Sequence, residues 1–307
     1  MMFFIRNVLN VRPIIITVSM GFLMVIGCSI GSVAKGAAHI SEHSNKKAET
    51  QHSVDWKRSD GEVYRVFVNI PNETPPEKGF PIVFVLDGNA TFNAAAEFVR
   101  LNSHSPVMPR KPAIVIGIGY PLQNESAENT FDLKRRWFDL TPPTSEPPIL
   151  SFKRMQQDTL YRYGGAQRLL TWIDADVMPW LVERYPIDKE KTVLFGHSLG
   201  GLTALFSLTL ELQSFRNIIA ASPSLWWNEG YLKKRLDTRF NASKLNANVL
   251  ILVGSEEKRF MIEDSKAVFQ QLKRKGVNAK YHIISPFNHG GVMMPALSMG
   301  LQWWQPR

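Results

Sequence analysis

From Gly61 onward the chain alternates short apolar runs, rich in β-branched residues, with longer stretches of helical spacing. Glu62 to Ile70 sets Val63, Arg65, Phe67 and Asn69 against Tyr64, Val66, Val68 and Ile70, the period of two that predicts a half-buried strand. Pro81 to Leu86 and Ala113 to Ile118 are continuous apolar runs, which predict strands covered on both faces. Further strands are predicted at Thr192–Phe195, Ile218–Ala221, Asn248–Val253 and Ala279–Ile284. Helical patterns cover Ala166–Tyr185, Leu199–Leu212 and Asp264–Lys275, with Pro186 as a stop after the first. Strands alternating with helices predict an α/β architecture: a mostly parallel central sheet with helices on both faces.

The flanks of this pattern read differently. Arg6 and Arg12 precede an almost wholly apolar run from Ile14 to Gly27, about 14 residues against the roughly 20 that span a bilayer. Residues 1–27 therefore read as an export signal. The run ends in Val25-Ile26-Gly27-Cys28, which resembles a bacterial lipobox and predicts lipidation at Cys28; ordinary cleavage beyond Ser32-Val33-Ala34 is the alternative. Residues 28–58 carry no hydrophobic period and read as a flexible tether, leaving 59–307 as a single folded domain. Leu122 to Met155 is polar and proline-rich and reads as a long surface excursion. The expected location is periplasmic, with membrane attachment through the lipid alone.

Charge narrows the partners. The formal net charge is +9, yet the densest basic clusters, Lys233-Lys234-Arg235 and Lys273-Arg274-Lys275, are short and fall on helical patterns. They read as solvated faces, so no nucleic-acid partner is expected, and an electropositive mouth for an anionic small molecule is the milder reading. The single cysteine, Cys28, excludes an intrachain disulfide. No metal-ligand spacing is present, and no cofactor is expected.

The sharpest chemical signal is Gly196-His197-Ser198-Leu199-Gly200-Gly201, between an apolar strand and a helical run. That setting is the one a G-x-S-x-G nucleophile turn requires, because a serine on a sharp, strained bend needs small neighbours. Ser198 is the expected nucleophile. His289, in the loop after the last predicted strand, is the expected base; His282 lies within that strand and reads as structural. An acid to orient the imidazole would follow the strand Asn248–Val253, where Glu256 and Glu257 stand; a Ser-His dyad without a carboxylate remains open. The oxyanion hole is expected from the backbone N–H of Leu199 and of Asn89, which follows the Asp87-Gly88 turn.

These segments carry a family resemblance. Val85-Leu86-Asp87-Gly88-Asn89, Arg136-x-x-Asp139-x-Thr141-Pro142, Tyr163-Gly164-Gly165-Ala166, the Ser198 motif, Ser222-Pro223-Ser224-Leu225-Trp226-Trp227 and Asn288-His289-Gly290 resemble the putative-esterase group that includes esterase D. They are most similar to its siderophore branch, the periplasmic trilactone esterases of the IroE type that act on enterobactin and salmochelin. The resemblance spans roughly residues 60 to 305. It implies hydrolysis of the ester bonds of a catecholate siderophore trilactone by a Ser-His dyad. It also implies an arginine from the long loop that holds the anionic ligand, at the place of Arg136, although Arg135 stands beside it. Trp226 and Trp227 would stack on catechol rings or pack under a loop. Two rival readings are a general carboxylesterase or acyltransferase of the same fold and a non-catalytic ligand-binding lipoprotein.

Overall fold

The apolar runs become the strands of one sheet with the order β1-β2-β3-β5-β4-β6-β7-β8-β9. In this computed structural model the described residues are 39–44, 50–122, 130–144, 148–149, 161–239 and 247–307. The export signal, the lipobox and Cys28 lie outside them, as does much of the predicted excursion. The strands are β1 (His39–Ser44), β2 (Gln51–Lys57), β3 (Val63–Asn69), β4 (Phe80–Leu86), β5 (Ile114–Gly119), β6 (Ile187–His197), β7 (Asn217–Ala221), β8 (Asn248–Gly254) and β9 (Asn278–Ile284). From β5 to β9 every neighbouring pair is parallel, whereas β1, β2 and β3 add an antiparallel edge.

Alternate residues of β4 divide the core between two faces. Ile82 and Phe84 pack with the helices Ala166–Trp172 and Leu199–Phe206; Val83 and Val85 pack with Gly88–Ser103 and Met293–Trp304. The continuous apolar runs follow from this, since a parallel strand with helices on both sides has no face for water.

Three expectations need correction. The tether does not extend to residue 58: β1 and β2 lie in the sheet, and Val54 and Trp56 are buried. Only two large apolar residues at period two mark β2, too few to stand out among polar neighbours. Burying each is worth roughly 1.5–3 kcal/mol, enough to dock an edge strand already held by ladder bonds. The excursion is not all surface, because a helix at Leu133–Asp139 buries Trp137 and Asp139. The helices Gly88–Ser103 and Met293–Trp304 were absent from the sequence pattern. The first presents Thr91, Ala95 and Ala96 beside Phe92 and Val99, a buried face of small residues with little hydropathy contrast.

The long predicted helix from Ala166 runs to Arg184 but widens into a π turn at Ile173–Val177. Pro179 explains it: proline has no N–H to donate to the carbonyl of Ala175, and its ring crowds that turn. The helix from Leu199 stops at Phe206 rather than Leu212, as a 3₁₀ turn follows at Ser207–Thr209. There the hydroxyls of Ser207 and Thr209 donate to the carbonyls of Ala204 and Phe206, competing with the helical ladder.

Candidate active site

Loops at the carboxyl ends of β4, β6, β8 and β9 carry Asn89, Ser198 with Leu199, Glu256 with Glu257, and His289; Arg136 follows β5, and Trp226 and Trp227 follow β7. Ser198 sits between β6 and the helix Leu199–Phe206 with φ 58° and ψ −114°, a conformation rare for a side-chain-bearing residue. The bend is held from the neighbouring strand, since Ser198 N–H donates to the carbonyl of Ala221 at 2.9 Å. Gly196 has to lack a side chain: a Cβ there would lie 2.1 Å from the carbonyl oxygen of Gly200. The first helical turn leaves the N–H groups beginning with Leu199 unpaired by the helix itself and pointing toward the bend.

His289 reaches the serine from the loop after β9. Its Nε2 lies 2.9 Å from Ser198 Oγ, and its Nδ1 lies 3.0 and 3.1 Å from the two carboxylate oxygens of Glu257. Glu257 has a side chain with no exposed surface, while that of His289 is 42% exposed. The two loops are zipped together at the backbone, where Glu256 N–H donates to the carbonyl of Phe287 at 3.0 Å. Gly254 permits that approach, because a Cβ there would meet the same carbonyl oxygen at 2.1 Å. Of the two glutamates left open by the sequence, Glu257 stands on the imidazole and Glu256 is exposed. The resemblance implied a dyad, and this chain departs from that by placing a buried carboxylate on the imidazole.

The remaining sequence candidates divide. Arg136 turns toward the cleft and forms a two-point ion pair with Asp87, through Nε to Oδ1 and through Nη2 to Oδ2 at 3.0 Å. Arg135 turns the other way. Its guanidinium carbon lies 4.7 Å from the centre of each of the Tyr64 and Tyr120 rings, and it pairs with buried Asp139. On a helix, successive residues point about 100° apart, and here the two arginines part to Asp87 and Asp139. Trp226 lines the cleft. Trp227 does not: it is fully buried, packed between Trp137 and Tyr163, and its proposed stacking on a ligand is corrected to core packing. The Asn89 side chain clasps the backbone of Tyr120, donating to its carbonyl at 2.9 Å and accepting from its N–H at 2.8 Å. This leaves the Asn89 backbone N–H in the first turn of Gly88–Ser103, where the helix supplies no acceptor.

Asp87 and His197 stand at the site without having been singled out from the sequence. Asp87 takes φ 55° at the end of β4 and holds Arg136 in place. His197 is buried, and its Nε2 donates to the backbone carbonyl of His289 at 2.8 Å, with the two rings 5.0 Å apart. It thereby anchors the loop that carries the imidazole. The adjacency of His197 to Ser198 was a signal in the motif, but its partner lies far along the chain.

Burial pushes the His197 imidazole down to about 4, with the nearby His289 adding to the effect. The unfolded chain, with an ordinary histidine near 6.5, thus binds more protons than the folded one between those values. Stability contributed by neutral His197 is present above about pH 6.5 and is lost as pH falls toward 4, by about 3 kcal/mol in all. Urea midpoints measured from pH 7 to pH 4.5 should fall accordingly, and His197→Asn should flatten that slope. An unchanged slope in the variant would contradict the assignment.

Beside the serine opens a cleft of about 670 Å³, walled by Leu133, Trp226, Phe260 and Met261, with Arg136 and Lys258 at its polar edge. Its size and apolar lining lie in the range of small-molecule sites. A strained serine on a strand-to-helix bend, an imidazole and a carboxylate on successive loops, and a parallel sheet beneath them define the molecule as an α/β hydrolase.

The comparisons agree and are more specific. Residues 151–288 match the family described as Putative esterase. The chain is 30% identical over 256 residues to the ferri-bacillibactin esterase BesA of Bacillus subtilis, covering 80% of this chain and 86% of that one. It is 28% identical over 249 residues to the apo-salmochelin esterase of Escherichia coli, covering 78% of this chain and 72% of that protein. The crystal structure of the BES protein from Bacillus cereus superposes with a TM-score of 0.72 at 28% identity, covering 87% of this chain and 99% of that one. The chain belongs to this esterase family and is a carboxylic ester hydrolase.

Proposed function

We propose that the protein hydrolyses the ester bonds of a catecholate siderophore trilactone, with Ser198 as nucleophile, His289 as general base and Glu257 as its orienting acid. The observation that carries this reading is the continuous chain Ser198 Oγ, His289 Nε2, His289 Nδ1 and Glu257, with separations of 2.9 and 3.0 Å, opening onto an apolar cleft. Ser198 Oγ bonds to the ester carbonyl carbon while its proton passes to Nε2; the tetrahedral intermediate collapses as His289 returns that proton to the departing alcohol oxygen. Water then attacks the acyl-enzyme by the same route. The N–H groups of Leu199 and Asn89 are proposed to receive the oxyanion.

The siderophore assignment draws on the relatives, which are named for siderophore esters, and on the cleft. Aromatic Trp226 and Phe260 offer faces to flat rings, and Lys258 offers positive charge to a catecholate. Arg136 acts in this reading from within its Asp87 pair, as a wall rather than a free cation. The segment ending at Cys28 supports placing the enzyme outside the cytoplasmic membrane, tethered by lipid, where incoming siderophore would meet it.

The test is a comparison of kcat/KM on a catecholate trilactone, with and without iron, against nitrophenyl esters of short acids. The expected result is a preference for the trilactone of about 100-fold or more, since several ring and charge contacts would be made only by that substrate. Equal rates would leave a general carboxylesterase.

A further inference from the structure

We propose that Ser224 is a further catalytic residue, whose hydroxyl donates a hydrogen bond to Oγ of Ser198 throughout the reaction. The inference rests on Ser198 being the nucleophile. Ser224 Oγ lies 3.2 Å from Ser198 Oγ, and the residue is only 1% exposed.

Counting protons assigns the direction of that bond. Glu257 accepts at Nδ1 of His289, so Nδ1 carries the ring proton and Nε2 of the neutral imidazole is an acceptor. Nε2 therefore takes the hydroxyl proton of Ser198. With its own proton committed, Ser198 Oγ can only accept from Ser224. One lone pair of Oγ receives that bond, and the other is left to attack the carbonyl. As the Ser198 proton leaves, negative charge gathers on Oγ, and a bond donated to a charged oxygen is stronger than one to a neutral hydroxyl. The same holds in reverse, when Oγ is expelled as the acyl-enzyme breaks down.

The backbone around Ser224 is built to hold that position. Ser222 takes φ 43° and is tied to β8 by its N–H on the carbonyl of Leu252 at 2.7 Å. Pro223 follows with a fixed φ. Ser224 N–H then donates to the backbone carbonyl of Ser198 at 3.0 Å, so the two serines are locked at the main chain as well. Among nearby buried hydroxyls, those of Thr203 and Ser207 donate to backbone carbonyls, and that of Ser222 has no partner among the described residues. The Ser224 hydroxyl is directed at the reacting atom instead.

The experiment follows phosphonylation of the full chain by a small fluorophosphonate, which needs no substrate recognition. In that step Oγ bonds to phosphorus, fluoride departs and the Ser198 proton passes to His289. Ser224→Ala should lower the limiting rate about 10-fold without changing the concentration of reagent at half saturation. Ser224→Cys, close in shape and a weaker donor, should fall between alanine and wild type. A wild-type rate in Ser224→Ala, or a cysteine variant no faster than alanine, would overturn the proposal while leaving Ser198 in place. Failure of the wild-type protein to label at all would withdraw the nucleophile assignment, and this proposal with it.

Discussion

Ser198→Ala should lower kcat for ester hydrolysis by about 10⁵- to 10⁶-fold and leave the dissociation constant of the intact ester unchanged. Alanine removes one oxygen atom and adds nothing, and the bend is held by bonds that do not involve the side chain, such as that from the Ser198 N–H to Ala221. The cleft, its aromatic walls and the imidazole should therefore stand as before. In the proposed mechanism no acyl-enzyme forms without Oγ, and what persists is the small acceleration available from binding and oxyanion donors acting on a direct attack by water. Turnover by chromatography and binding by tryptophan fluorescence, with Trp226 in the cleft wall as reporter, separate the two quantities. Residual turnover within a hundredfold of wild type would mean that another group attacks the ester.

Glu257→Gln should lower kcat by about 10³- to 10⁴-fold with little change in KM. The carboxylate meets Nδ1 through both oxygens and is shielded from water. In the proposed mechanism it therefore fixes the tautomer in which Nε2 is free to accept, and it balances the imidazolium that forms when the Ser198 proton arrives. An amide of the same size does neither reliably, since its NH₂ group can face Nδ1 and reverse the tautomer. Glu256, one residue earlier and exposed, provides the control: Glu256→Gln should stay within a few-fold of wild type. The two variants differ by one position in one loop, so a difference in rate isolates the contact with His289. A Ser-His dyad would make both substitutions mild, and that outcome would sink the role of Glu257.

The parts of this molecule that could be read from its sequence are those whose signal is local. The fully covered strands β4, β5 and β8 declare themselves as unbroken apolar runs because no water-facing side interrupts them. Ser198 declares itself because strain at the bend demands small residues at fixed spacing. The strand β2 was hidden because its burial rests on Val54 and Trp56 alone, and Gly88–Ser103 was hidden because alanine and threonine make up much of its buried face. Neighbouring residues with identical chemistry were the hardest. Arg135 against Arg136, Glu256 against Glu257 and Trp226 against Trp227 are each decided by which way one side chain turns, and that is set by partners far along the chain. Asp87, His197 and Ser224 were passed over for the same reason, as their meaning lies in contacts with Arg136, His289 and Ser198.

The bonds that continue the sheet past its strands have a practical consequence. Ser198 leans on Ala221, Ser222 on Leu252 and Ser255 on Ile284, so the loops after β6, β7 and β8 are each set by the strand beside them. A molecule in which β9 has not docked would have an intact serine motif and no imidazole at the right distance. Titration with a covalent serine reagent would then count finished molecules rather than polypeptide, and a refolding mixture could be scored for correctly completed sheets by stoichiometry alone.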